Sequence, residues 1–329
     1  SACGNARTHD SGTPSQRQVA DGIPSLSSMG DPLWPRASAW LADAASVEQA
    51  DVDVIGVPSS VASISASDAR SAPGAFRLAL GGFSPFDSDR NLDLGSLAVA
   101  DHGDMVLDDT SMVASQRDIA EAARSTETTG VRAYLGGDNA ITRPLVRAMD
   151  RDLASVGVVT LDAHHDVRSL DDGPTNGTPI RGLVDDGLPG PNVAQIGIHS
   201  FANSAAYRAV CEELGIAVFT MNDVDRRGIG GVVDAALYRL DHVEVIYVDF
   251  DIDVLDRAFA PGCPGARPGG MTPRQLGNAA FALGRDQRVV AADFVEVDPT
   301  RDRDGATIQA MVHTFLSFMA GVATRKEAP

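Results

Sequence analysis

The stretch Val158-Val159-Thr160-Leu161-Asp162-Ala163-His164-His165-Asp166-Val167-Arg168, VVTLDAHHDVR, decides the fold. Its first four residues are apolar or β-branched, the mark of a short strand buried on both faces. It then turns abruptly to acids, imidazoles and a guanidinium. Charge at a buried strand tip is costly unless it is paired or holds an ion. A parallel sheet between helices accommodates it, because such sheets bind ligands outside the carboxyl ends of their strands.

Working outward, the pattern repeats. Residues 53–57, 97–100, 131–135, 156–161, 193–198, 217–219, 243–248 and 289–297 read as strands. Residues 116–124, about 142–154 and about 305–323 read as helices. Short apolar strands separated by helix-length segments predict an α/β protein with a parallel sheet and helices on both faces. One domain is expected over residues 36–325. Residues 1–35, rich in Ser, Gly, Asp and Pro, read as a flexible lead-in.

The chain has 329 residues, 43% hydrophobic and 22% charged, enough for one large core. Its formal net charge is -18 and its pI about 4.6. Such a surface repels nucleic acid and anionic membranes. No apolar run reaches the roughly 20 residues of a membrane span. The opening SACGNARTHDSGTPSQ has no apolar core of a secretory signal. The three cysteines are widely spaced, with no CxxC. A reducing cytoplasm is therefore expected, with no membrane and no nucleic-acid partner. Adaptation to a salt-rich cytoplasm is a hypothesis that would explain the acidity.

Three apolar runs end in ligand-type residues: YLGGDNAIT (134–142), LDAHHD (161–166) and YVDFDIDVLD (247–256). Asp162, His164 and Asp166 are spaced by two, so in an extended chain they share a face. Asp249, Asp251 and Asp253 repeat that spacing. Clustered carboxylates repel one another strongly in a low dielectric, and a cation removes that cost. Carboxylate with imidazole suits Mn²⁺, with Fe, Ni, Co or Zn as alternatives. Two such clusters point to a two-metal site. Alone, D-x-H-x-D is more often a solvated loop. Alone, D-x-D-x-D resembles a calcium loop, but the Gly at position six and the Glu at twelve are missing. Both motifs after buried strands favour the metal reading. His165 should face away from the centre and serve packing. Cys263, in APGCPG, reads as structural, and His199 as a strand-tip residue able to line a site.

Over roughly residues 50–323 the chain resembles the ureohydrolases: arginase, agmatinase, guanidino-acid hydrolases and formimidoylglutamase. The resemblance rests on GGDNAIT, LDAHHDVR, TNGTPIRG, VDFDIDVLDRAFAPGCPGARPGG and FVEVDP. It implies a three-layer α/β/α fold with a mainly parallel eight-stranded sheet. It implies two Mn²⁺ per subunit and a homo-oligomer, trimer or hexamer. It also implies that Asp162 and Asp249 bridge the ions, that Asp166 binds one, and that His164 and Asp251 bind the other. Glu296 matches the acid that contacts the substrate's cationic amidine. In the family a His normally holds the first metal where this chain has Asn139. An amide oxygen binds a hard cation more weakly than imidazole holds Mn²⁺. A weaker or different first ion, a one-ion site and a degraded site all remain open.

LDAHHDVR, TNGTPIRG and IGIHSFANSAAYRAVCEELGI resemble the formimidoylglutamase forms, whereas PGARPGG and the Asp of GGD resemble agmatinase. The resemblance implies hydrolysis of N-formimidoyl-L-glutamate to L-glutamate and formamide, a step of histidine degradation. A metal-bridging hydroxide would attack the amidine carbon, with Asp251, Glu296 and His164 as catalytic residues. Arg168, Asn176, Gly177, Thr178, Arg181 and Asn203 are candidates for the substrate's anionic tail. Two alternatives stand beside this reading: an agmatinase or guanidino-acid hydrolase that releases urea, and a non-catalytic member with a degraded metal site.

Overall fold

Two apolar runs set the centre of the molecule. VGVVTL (β7, Val156–Leu161) and VIYVDFD (β10, Val245–Asp251) are buried at every position. Only a sheet covered on both faces allows this. The computed structural model describes residues 31, 33–149 and 151–327. The remaining strands are β1 (Ala42–Asp43), β2 (Val52–Gly56), β3 (Phe86–Asp87), β4 (Leu92–Asp93), β5 (Val99–Asp104), β6 (Val131–Leu135), β8 (Val193–Ile198), β9 (Ala217–Thr220) and β11 (Val289–Val295).

The main sheet runs β1-β5-β2-β6-β11-β10-β7-β8-β9, and its neighbours pair in parallel. The expected eight-stranded sheet is there, extended among the described residues by the two-residue edge strand β1. Strands β3 and β4 form a separate antiparallel ribbon. Because the strands are parallel, the tips of β6, β11, β10 and β7 lie side by side at one edge of the sheet.

The helices are α1 (Ala72–Ala79), α2 (Met112–Ser125), α3 (Thr142–Arg147), α4 (Pro179–Asp185), α5 (Ala205–Leu214), α6 (Met221–Arg239), α7 (Pro273–Arg285) and α8 (Ala306–Ala323). One face of the sheet packs against α1, α6, α7 and α8, through residues such as Phe76, Val232, Leu283 and Phe315. The other face packs against α2, α3, α4 and α5, through Ile119, Leu145, Leu183 and Cys211. Phe250 and Phe294 stack at 5.0 Å on neighbouring strands, and Phe318 of α8 meets both rings edge-on. These layers are the three expected.

The helix expected over about 142–154 stops at Arg147. Asp152 then accepts the Ala154 amide and starts a separate turn, Leu153–Ser155. Helix α8 is apolar over 18 residues, enough by composition for a membrane span, but 78% of it is buried inside the protein. Its apolarity serves the core. Residues from Pro35 on form one compact unit. The lead-in assigned to residues 1–35 lies almost wholly outside the described residues.

Candidate metal centre

Four neighbouring strand tips build the site. Strand β6 runs into Gly136 and Gly137, both at positive φ (79° and 86°). A β-carbon at Gly136 would press on Pro73, and one at Gly137 on the carbonyl of Val57. The tight turn therefore needs glycine twice, and it delivers Asp138 and Asn139 to the centre. Asp138 accepts from the Ala62 amide, the Ser63 hydroxyl and the Ala140 amide, a structural role. Burial, then the charge of Glu296, pushes it up to about 8.

From β7 come Asp162, His164 and Asp166. His164 Nδ1 lies 2.7 Å from Asp253 Oδ2 and 3.5 Å from Asp162 Oδ1. The Asp253 charge is the first cause that pushes His164 up to about 12. Asp166 sits at φ 53°, in the left-handed region. Its Oδ2 accepts from Asn139 Nδ2 at 2.7 Å. From β10 come Asp251 and, one turn beyond, Asp253. The Asp253 amide donates to Asp251 Oδ1 at 2.8 Å, and the Ala163 amide to Asp253 Oδ1 at 2.9 Å. From β11 comes Glu296, at φ 69°. Its Oε1 accepts from the Asn139 amide at 2.8 Å and from Asn176 Nδ2 at 2.9 Å. Oε2 takes neither bond.

Asp162, Asp166, Asp251 and Asp253 are buried, and among the described residues they form no ion pair with Lys or Arg. Burial, followed by the charge of neighbouring acids, raises Asp166 and Asp251 well above the ordinary carboxylate range and Asp162 to about 7. Burial acts on Asp253 the same way, but the charge and hydrogen bond of His164 outweigh it and hold that carboxyl at about 2. So much acid ionises together only with added positive charge. Asp162, His164 and Asp253 offer donor atoms all within 4.8 Å of one another. Oxygen donors with an imidazole fit a hard-to-borderline divalent cation.

The structure does not bring one carried-over ligand to the cleft. Asp249 is 1% exposed and lies below the tip, in register with Asp293 of β11 and Thr160 of β7. Its oxygens accept from no nitrogen or hydroxyl in the described residues. Of this run, Asp251 and Asp253 line the cleft, a pair shifted by two from the Asp249 and Asp251 expected. Asp253 was seen in the spacing but left out of the ligand set.

The cleft above these acids has a volume of about 320 Å³. Arg168, Asn176, Gly177 and Asn203 line it, as expected. The Arg168 side chain lies across Gly177, where a β-carbon would collide with it. Thr178 is buried and bonds to the Thr175 carbonyl, and Arg181 pairs with Asp185 along α4. Neither lines the cleft, because the chain has already turned into α4 there. Arg267, which the sequence reading missed, does line it. No spacing rule ties it to the other motifs. His165 faces away, 2.7 Å from Gln195, as alternation requires. His199 is buried against the Val254 carbonyl, outside the cleft lining.

The Arginase family model matches residues 50–321. The chain belongs to the arginase family. Among its relatives, it is 43% identical over 274 residues to a formimidoylglutamase of Halalkalibacterium halodurans, across 82% of this chain and 86% of that one. It is 36% identical over 235 residues to a guanidinopropionase of Pseudomonas aeruginosa, across 69% and 73%. The solved formimidoylglutamase of Bacillus subtilis superposes with a TM-score of 0.84 at 33% identity, covering 89% of this chain and 94% of that chain.

Proposed function

We propose that this arginase-family protein hydrolyses N-formimidoyl-L-glutamate to L-glutamate and formamide. The observation that carries this reading is the polarity of the cleft. Asp166, Asp251, Asp253 and Glu296 line it, with Asp162 buried beside them, and Arg168 and Arg267 line it too. The substrate is complementary, with an amidinium at one end and two carboxylates at the other. Similarity to formimidoylglutamases supports the same reading.

Asp162, His164, Asp166, Asp251 and Asp253 would hold two divalent cations, Mn²⁺ by donor type, with Asn139 beside the first. When bound, such a pair supplies a water of lowered pKa as nucleophile and neutralises these acids. Glu296 Oε2 accepts hydrogen bonds from the amidinium and orients its carbon in the cleft. Asp251 Oδ1 is occupied by the Asp253 amide. Asp251 takes the proton of the attacking water and passes it to the leaving nitrogen. Water oxygen bonds to the amidine carbon, and the bond to the glutamate nitrogen breaks. Arg168, Arg267, Asn176 and Asn203 hold the tail. The protein acts as a soluble homo-oligomer of the cytoplasm.

The test compares N-formimidoyl-L-glutamate, agmatine, arginine and 4-guanidinobutyrate on Mn²⁺-loaded protein, scoring formamide against urea. Formamide and glutamate from the first substrate alone is the expected result. Urea from a guanidino compound would move the activity to the guanidino hydrolases.

A further inference from the structure

Cys263 comes to the centre from the loop after β10. It is 0% exposed. Its sulfur, one Asp251 oxygen and one Asp253 oxygen all lie within 4.8 Å of one another. The three groups are close enough together to hold one cation between them. Asp253 also belongs to the group formed with Asp162 and His164. Imidazole and thiol therefore converge on the same carboxylate. The loop is shaped to bring them there. A β-carbon at Gly265 would collide with Asp253 Oδ2, so only glycine lets the backbone approach so closely.

The two halves of the centre thus differ in donor chemistry. Around Asn139 and Asp166 the side chains offer oxygen and amide. Around Asp253 they add an imidazole and a sulfur. Soft and borderline donors favour thiophilic or later first-row ions over Mn²⁺. We infer that Cys263 is a sulfur donor to the cation held by Asp251 and Asp253, giving this position a preference for a thiophilic divalent ion such as Co²⁺, Zn²⁺ or Cd²⁺. The inference rests on the metal reading above and goes beyond it by naming a ligand and an ion preference.

Cobalt titration of the metal-stripped full chain provides the test. Visible d–d bands report Co²⁺ in the centre whatever its ligands. A near-ultraviolet charge-transfer band reports a bound thiolate. Wild type should show both. Cys263→Ser, nearly isosteric, should keep the visible bands and lose the near-ultraviolet band. Its affinity for Co²⁺ relative to Mn²⁺ should fall about tenfold or more. Circular dichroism checks its fold, and Cys263→Ala serves as a second variant. Visible bands in wild type without the charge-transfer band would overturn the sulfur ligand and leave the metal centre standing. A charge-transfer band that persists in both variants would also overturn it. Absence of any bound cobalt would overturn the ligand and the metal reading together.

Discussion

Glu296 and Asp166 hold left-handed backbone conformations, at φ 69° and 53°, that a β-carbon disfavours. Such strain costs on the order of 1–3 kcal/mol per residue and persists only where the surroundings hold it. Asn139 does so for both, its backbone amide on Glu296 and its side-chain amide on Asp166. The Asn139 side-chain oxygen faces the Thr142 hydroxyl at 2.9 Å. In this chain Asn139 couples Glu296 to Asp166. For Glu296→Gln the expected outcome is a kcat/KM lower by about 10–100-fold, the value of a charge-assisted hydrogen bond, with an unchanged melting temperature. Steady-state kinetics and thermal melts check it, and an unchanged kcat/KM would remove Glu296 from substrate contact. At this scale much was legible. The meeting of Asp162, His164 and Asp166 was legible in their spacing, although bends and a left-handed Asp166 rather than an extended strand bring them together, and the turning away of His165 was legible from alternation. Asn139's bonding was not legible, because it depends on partners 27 and 157 residues away in sequence.

At the scale of elements, the run Asp249, Asp251, Asp253 explains why Asp251 and Asp253 line the cleft and Asp249 does not. The same spacing occurs twice in a row, so alternation alone cannot choose which two acids reach the tip. The end of β10 at Asp251 decides. Beyond it, the turn Ile252–Val254 brings Asp253 to His164, while Asp249 stays in register with Asp293. A strand's last residue is a matter of pairing with its neighbours, and one sequence does not display that. The segment after β11 makes a testable case. Asp298 accepts from the Asp68 amide and from the Thr300 amide and hydroxyl, tying this segment to the turn before α1. Burial opposes ionisation there, but these bonds win and hold its carboxyl below the usual range. A depressed folded pKa stabilises the protein above the unfolded value, about 3.8–3.9. That stability is lost as pH falls through the folded value. Asp298→Asn should therefore cost about 1–3 kcal/mol at neutral pH and progressively less below about pH 4. Denaturant melts at a series of pH values check the sign, and a gap that widened in acid would contradict it.

At the scale of the whole molecule, the parallel sheet was legible because its strands are apolar throughout and evenly spaced by helix-length segments. Several helices were not. Helix α6 is broken at Gly228, where φ is 70° and ψ 153°, so no single period runs through it. Helix α4 is seven residues long and starts on a proline, too short for periodicity to register. Net charge is a property of this scale too. With 45 acids against 27 Lys and Arg, the surface repels itself, and salt screens that repulsion over about 10 Å at 0.1 M. The melting temperature should rise from dilute buffer to molar salt, and a flat or falling curve would remove self-repulsion as a limit on stability. Four parallel strand tips would build a metal centre around Asp251 and Asp253. Metal analysis of wild type, Asp253→Asn and Asp249→Asn after equilibration with Mn²⁺ tests it most directly. Wild type and Asp249→Asn should each retain about two ions per chain, and Asp253→Asn should lose at least one. Metal lost from Asp249→Asn but kept by Asp253→Asn would contradict it.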